Sequence, residues 1–354
     1  MSERLLETAP TRASETILPW VQRLHDAHPV APWKIGVAIF AFLTLAFFGS
    51  EIALGRYEVA REAPAGTDPF RNVRLALMIF LAIGYLVAAC LYQVRTSRRT
   101  MAELVPMLGL PADEAARLVA APGRVTRTVM WRTGVIALVL SQTIPLLADP
   151  WQFVFLPANW TVEMWWHRIL VPVLCWWVVR QGGLVLTQSA RLNALAKRLP
   201  ELDLFDPHPL EPFTRQGLRH VAQALGLLGC FLVLFGEEGF GMLIVVLVGI
   251  GLATATVGLL LPLRGVRTRI LAAKAEALGR CRGQLQDAAE ALERGEGVAG
   301  RMADLAAWEA RIEAVREWPI GGAAVSRLLL YLLIPIGSWV GGAFVERAVD
   351  SALR

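Results

Sequence analysis

Seven long runs of apolar residues, separated by polar loops rich in arginine, dominate the sequence. The runs cover residues 35–54, 75–93, 133–148, 169–186, 218–235, 240–263 and 325–344. Each is at or near the length with which a helix crosses the hydrocarbon of a bilayer, and the third reaches it if it continues towards Phe155. Lipid offers no hydrogen-bond partners to backbone N–H and C=O groups, so segments that cross it are helices or the strands of a closed barrel. Their nearly continuous apolarity lacks the alternation of barrel strands. The sequence therefore predicts an all-α, polytopic membrane protein with about seven transmembrane helices.

A second pattern follows the sixth run and indicates a helical hairpin outside the membrane. Leucines recur every seven residues, at Leu271, Leu278, Leu285 and Leu292, which is the spacing of a coiled-coil seam. The break expected at 295–297 is followed by a second amphipathic stretch, 302–315, which ends before Pro319. The sixth helix is thus expected to continue for some thirty residues and to be followed by a return helix. Two alternatives remain open: the hairpin packs only on itself, or the leucine seam joins subunits.

The distribution of basic residues predicts an orientation. Loop 95–132 has seven Lys and Arg residues, loop 188–220 has five and segment 264–327 has eleven, whereas loops 149–166 and 236–239 have none. The positive-inside rule then places the N-terminus in the cytoplasm and the C-terminus outside, in a cell (inner) membrane. Four arginines in the first loop oppose this assignment, but acidic residues accompany them. The polar residues 1–33 contain no apolar core of a cleavable signal.

Composition agrees with a membrane protein. The chain is 55% hydrophobic with a mean hydropathy of +0.48, and its net charge of +5 lies in the loops beside the spans. We therefore expect the lipid bilayer rather than nucleic acid as its partner. The cysteines form no ligand or disulfide pattern, and no metal or cofactor is expected. They are Cys90, Cys175, Cys230 and Cys281.

Small residues in the last span suggest close helix packing. Pro335 interrupts the span, and Gly337/Gly341 and Ser338/Gly342 form small-xxx-small pairs. Similar pairs occur in the sixth span, such as Gly249/Ala253. These positions either pack within one bundle or bring spans six and seven of different subunits together, with the last span lining a path and Pro335 acting as a hinge.

One charge lies within a span. Only eleven residues separate Arg168 from Arg180, so the fourth span must continue past Arg180. Intramembrane charges are rare and face protein or water. Gln142 and Gln223 are neutral residues near its level and complete a candidate intramembrane polar site. The alternatives are an arginine that snorkels to the headgroups and a buried anion or voltage-responsive site.

The outer turn between spans five and six carries Glu237 and Glu238. In a ring of subunits these carboxylates would concentrate cations at a pore mouth; otherwise they form a solvated turn. Catalysis has no support, because the sequence contains no HExxH, P-loop, GxSxG or dinucleotide-binding motif. We expect no catalytic residue.

Four regions follow from these patterns: a cytoplasmic segment (1–33), a six-span bundle (34–263), a coiled-coil-like cytoplasmic hairpin (264–319) and the seventh span with a short outer tail (320–354). The layout resembles that of insect odorant and gustatory receptor channels in its orientation, in the helical extension before the last span and in the final span. This resemblance of layout alone slightly favours a channel over other classes, and no motif carries over residue by residue. The expected function is a homo-oligomeric ion channel or pore lined by the last span. The alternatives are a scaffold or signalling protein whose hairpin binds a cytoplasmic partner, and a secondary transporter.

Overall fold

The computed structural model describes residues 16–54, 71–148, 162–199, 202–206, 208–232, 241–295, 300–333, 337, 340 and 341. These residues are almost entirely helical, as the sequence predicts. The helices of the first half are α1 (Trp20–Ala27), α2 (Pro32–Ala53), α3 (Arg71–Leu108), α4 (Ala112–Ala120) and α5 (Arg127–Ala148). Those of the second half are α6 (Val162–Lys197), α7 (Glu211–Leu232), α8 (Gly241–Glu293), α9 (Arg301–Glu313) and α10 (Gly322–Leu333).

Two short strands connect the N-terminal segment to the middle of the chain. Strand β1 (Thr16–Ile17) pairs antiparallel with β2 (Val125–Thr126), and Thr16 lies opposite Thr126. Strand β2 leads directly into α5, so this ladder holds the N-terminal segment beside the start of α5.

Four helices are long and apolar enough to cross a membrane by length and composition. They cover Pro32–Ala53, Val73–Leu108, Trp165–Lys197 and Val248–Glu293, and they overlap the predicted spans one, two, four and six. The other predicted spans overlap α5, α7 and α10, but the total of seven stays a prediction. Many large apolar side chains on these helices are exposed, including Phe42, Leu45, Val139 and Val245. Such a surface is typical of helices that contact lipid.

Three helices are much longer than a bilayer requires. Helix α3 has 38 residues, α6 has 36 and α8 has 53, so α8 alone is roughly 80 Å long. The C-terminal ends of α3 and α6 and the middle of α8 meet the N-terminal end of α7 in a second apolar cluster, in which Met101, Leu192, Phe213 and Leu263 are fully buried or nearly so. We call this cluster the cytoplasmic core, following the predicted orientation.

A separate cluster, the membrane core, lies between α2, α3 and α6. Phe47 and Phe80 are both 1% exposed and their ring centroids are 5.8 Å apart. Trp166 packs edge-on against both rings. Helix α3 contacts α2, α6 and α7, and α6 contacts α3, α5, α7 and α8, so these two helices share the centre of the fold.

Helices α8 and α9 form a hairpin. Helix α8 ends at Glu293, just before Gly295, whose φ of +77° favours glycine. Helix α9 then packs back on α8: the Cys281 thiol donates to the Leu305 carbonyl, and Arg282 pairs with Glu309 at 2.6 Å. That hydrogen bond and the charge of Glu309 raise the pKa of Arg282. The hairpin therefore packs on itself within one chain.

The leucine seam is only half covered by this packing. Leu271, Leu278 and Leu285 are partly buried, and Leu292 is 49% exposed. An association of subunits through the seam stays a prediction.

Glycines mark the closest helix crossings. A Cβ added to Gly36 of α2 would lie 2.7 Å from the Gly84 carbonyl oxygen of α3. One added to Gly258 of α8 would lie 2.9 Å from the His220 Cβ of α7. At Gly265 an added Cβ would collide with the Asn193 carbonyl of α6. These approaches fix how α6 and α7 lie against α8, and thereby position the polar residues between them.

Candidate functional site

A continuous chain of hydrogen-bonded polar side chains runs through the interior of the bundle, between α3, α6 and α7. We call it the polar spine. All of its members are at most 8% exposed: Gln93, Ser97, Thr100, Gln181, Gln188, Gln216, His220 and Gln223. Buried polar groups of this kind are stable only when they are paired, so the contacts along the spine decide what it does.

The centre of the spine is Gln188 of α6. Its Oε1 accepts from Gln93 Nε2 at 2.9 Å and from Ser97 Oγ at 2.7 Å, both on α3. Its Nε2 is buried and has no hydrogen-bond partner among the described residues. Two donors thus converge on one oxygen while one donor of the same amide stays unsatisfied, which is uncommon for a buried group.

The end of the spine towards the membrane core joins all three helices through Gln181. Its Nε2 donates to Gln93 Oε1 and, at 3.0 Å, to Gln223 Oε1. Its Oε1 accepts from the Cys90 thiol at 2.9 Å. Gln223 in turn donates to the Ala89 carbonyl at 3.3 Å. Every hydrogen bond here crosses between helices.

The other end of the spine lies at the start of α7. Gln216 Nε2 donates to Ser97 Oγ at 3.1 Å, and Gln216 Oε1 accepts from Thr100 at 3.3 Å. Arg219, which is partly buried, donates to the same oxygen at 3.3 Å. The spine therefore ends at a charged residue near the cytoplasmic core.

His220 connects the spine to α8. Its Nδ1 lies 3.3 Å from the Gly258 carbonyl oxygen and 3.2 Å from Ser189 Oγ. A carbonyl only accepts, so Nδ1 carries the proton, and Nε2 accepts from Gln216 Nε2 at 3.1 Å. The close approach at Gly258 makes this contact possible.

Arg180 lies beside the spine but does not form part of it. Its side chain is buried, at 8% exposure, and its guanidinium lies 5.8 Å from the Trp176 ring and 5.9 Å from the Trp177 ring of its own helix. Both distances are within the range of a cation–π contact. Its charge is therefore held against aromatic faces of α6.

The three residues predicted to form one intramembrane polar site have different hydrogen-bond partners among the described residues, and their common site stays a prediction. Gln223 belongs to the polar spine, whereas Gln142 accepts from Arg168 at 3.3 Å and also bonds Ser141. Neither glutamine has a described hydrogen bond with Arg180.

The predicted packing and pore residues are only partly described. Gly337 and Gly341 are helical, and an added Cβ would meet no atom within 4 Å at either position. Gly249 on α8 is equally open. Pro335, Ser338 and Gly342, as well as Glu237 and Glu238, lie outside the described residues.

Most of the spine was not identified from the sequence, although its spacing is regular. Gln93, Ser97 and Thr100 follow an i, i+4, i+7 pattern, and so do Gln216, His220 and Gln223. Gln181 and Gln188 are also seven apart. Residues at these spacings share one helix face. Polar residues that recur on one face of an otherwise apolar helix are thus the sequence signal that could have predicted the spine.

The chemistry of the spine is that of neutral hydrogen bonds. It contains no carboxylate, and His220 is its only histidine. Among the described residues no group of His, Cys, Asp and Glu is arranged to hold a metal ion. The spine can therefore fix the rotation of three helices. Comparison with protein-family models, curated proteins and solved structures finds no match for this chain.

Proposed function

We propose that this protein is a homo-oligomeric channel or pore of the cell (inner) membrane, in which the last of seven spans lines the path between copies. The N-terminus is cytoplasmic and the C-terminus is outside. Glu237 and Glu238 then surround the outer mouth of the pore, where their charges attract cations.

The observation that carries the proposal is the one-sided packing of α10. Leu328 and Tyr331 are partly buried and pack against the cluster formed by α7 and α8. Leu330 is 61% exposed, and Gly337 and Gly341 have open space beside them. In the proposed seventh span, taken as one helix, residues 330, 337 and 341 share a face because they are seven and eleven residues apart. This free face, with room for close helix approach, suits a contact with other copies or a path between them.

The interior of one copy is already filled. The polar spine and the apolar residues around it occupy the space between α3, α6 and α7. A path through that region would break several buried hydrogen bonds at once, which costs about 1–3 kcal/mol for each group left unpaired. This favours a path between subunits over a path through one subunit.

The test combines subunit counting with cross-linking. The complex is extracted in mild detergent, its mass and symmetry are measured, and Gly341→Cys is oxidised in membranes. We expect a closed ring of three or more copies and disulfide-linked dimers. The four native cysteines are buried, so they contribute little background. Val139→Cys on α5, a position 60% exposed in one copy, is the matched control and should not cross-link.

Function is tested on the same material. Gly341→Leu should prevent assembly, and purified wild-type protein should conduct ions in planar bilayers with a cation preference that Glu237→Gln/Glu238→Gln reduces. A monomer, or a dimer without an axial path, would exclude the central-pore proposal.

A cytoplasmic scaffold is the second candidate, because one feature of the hairpin favours it. Phe205 and Trp308 are 39% and 44% exposed, their ring centroids are 5.0 Å apart, and Arg311 lies 5.2 Å from the Phe205 ring. A cleft of about 360 Å³ beside them is lined by Phe205, Ile270 and Trp318. Exposed aromatic and arginine side chains are common in binding surfaces.

Photo-cross-linking from position 318 in intact cells distinguishes this candidate. A cross-link to another polypeptide that Phe205→Ser abolishes would support a partner surface. Cross-links only within the chain would argue against it.

A further inference from the structure

A second cleft, of about 190 Å³, lies between the first turns of α7 and the segment that leads into α10. Its polar lining consists of His208, Glu211, Thr214, Arg215 and Arg327. The buried hydroxyl of Thr214 donates to the Pro319 carbonyl at 2.9 Å and so joins the two sides of the cleft. No residue of the polar spine lines it.

The position of the cleft relative to the bilayer follows from the two helices that form it. Leu218, on the wall of the cleft, is the first residue of predicted span five, and Arg327 lies at the start of predicted span seven. Leu329 and Leu330 follow Arg327 at once and are 60% and 61% exposed. The cleft therefore lies at the height where α7 and α10 enter the lipid, on the predicted cytoplasmic side.

The charges in the cleft have opposite signs and are not paired with each other. Arg327 and Glu211 are both exposed, and among the described residues neither forms an ion pair. Arg215 pairs with Glu103 through Nη2, while its buried Nε has no hydrogen-bond partner in the described structure. The cleft thus presents arginine donors together with one unpaired carboxylate.

We propose that this cleft binds the headgroup of a phospholipid that carries both a phosphate and a primary amine. Arginine is suited to phosphate because its planar donors bind two oxygens at once, which assigns the phosphate to Arg327 and Arg215. The ammonium group then hydrogen-bonds to Glu211. A quaternary amine has no N–H to donate, and a headgroup with no amine leaves the Glu211 carboxylate facing an anion. This site exists in one copy and does not depend on the proposed pore.

Lipid binding to the full-length, delipidated protein tests the site. Native mass spectrometry in detergent compares phosphatidylethanolamine, phosphatidylcholine and phosphatidylglycerol of the same acyl chains, with inorganic phosphate as the soluble probe. We expect phosphatidylethanolamine to bind about tenfold more tightly than the other two lipids, the effect of one charge-assisted hydrogen bond. Inorganic phosphate should not compete at millimolar concentration.

Two substitutions test the phosphate contact and the amine contact of the headgroup separately. Arg327→Gln should weaken binding of all three lipids about tenfold, whereas Glu211→Gln should remove only the preference for the primary amine. Both residues are exposed, so neither change should alter folding, which the thermal midpoint checks. Arg301→Gln, an exposed arginine on α9, is the matched control and should bind like the wild type.

Other results would overturn the proposal. Equal binding of the three lipids by the wild type excludes a headgroup site that distinguishes a primary amine. An Arg327→Gln variant with unchanged binding excludes the cleft as the site. Competition by inorganic phosphate would identify a general anion site instead of a lipid site.

Discussion

Gln188 is the member of the polar spine whose hydrogen bonding is least complete. Its carbonyl oxygen receives two hydrogen bonds from α3, while its amide nitrogen has no partner among the described residues. Exchanging the positions of Oε1 and Nε2 in Gln188 would not satisfy the amide. Its nitrogen would then face Gln93 Nε2 and Ser97 Oγ, which both donate. The arrangement is therefore a compromise in which one unsatisfied donor is the cost of holding Gln93 and Ser97.

Replacing Gln188 by leucine should destabilise the protein. The change removes one unpaired donor but leaves two buried donors, Gln93 Nε2 and Ser97 Oγ, without an acceptor. We expect a net loss of about 1–3 kcal/mol in the free energy of unfolding. Thr187→Val is the matched control, since Thr187 is exposed on the same helix and bonds only within it. Unfolding in mixed micelles measures the free energy of unfolding of both variants. Equal stability of the two variants would contradict a stabilising role of the spine.

At the scale of helices, the fold depends on a few crossings at which a glycine lets two helices approach closely. Gly258 allows α8 to approach α7 closely enough for His220 to reach its carbonyl, whereas Gly249, nine residues earlier on the same helix, contacts nothing within 4 Å. The two glycines look alike in sequence. Only the rotation of α8 distinguishes the crossing from the free surface.

The two positions should therefore respond differently to valine. Gly258→Val forces α7 and α8 apart, and overpacking of this kind costs about 1–3 kcal/mol. It also breaks the His220 hydrogen bond, so we expect a lower thermal midpoint and less monodisperse protein. Gly249→Val should leave both properties nearly unchanged. Size-exclusion chromatography and a thermal melt in the same detergent compare them, and similar behaviour would mean that the crossing is not as close as described.

At the scale of the whole molecule, the cytoplasmic core and the hairpin form one layer, which the predicted topology places outside the bilayer. Helix α8 contacts both α7 and α9, so the return to α10 passes through this layer. Arg267 pairs with Glu317 at 2.9 Å and lies 5.1 Å from the Trp318 ring, which attaches the end of the hairpin to α8.

Labelling of single introduced cysteines tests the orientation of this layer. Arg301→Cys on the hairpin should react with a membrane-impermeant maleimide only in inverted vesicles. Gln152→Cys, in the arginine-free loop 149–166, should react only in intact cells. The reverse pattern would invert the topology and place the lipid cleft on the outer face.

The sequence alone determined the features that depend on local pattern. Run length and apolarity predicted a helical membrane protein, and the heptad spacing with its glycine break predicted the extent of α8 and the return helix, because these signals act within one helix. Tertiary structure decided which side chains meet. The different hydrogen-bond partners of Gln142 and Gln223, the meeting of three helices in the polar spine and the open space at Gly341 depend on how each helix is rotated against its neighbours. That rotation follows from packing between distant segments, and no single helix encodes it.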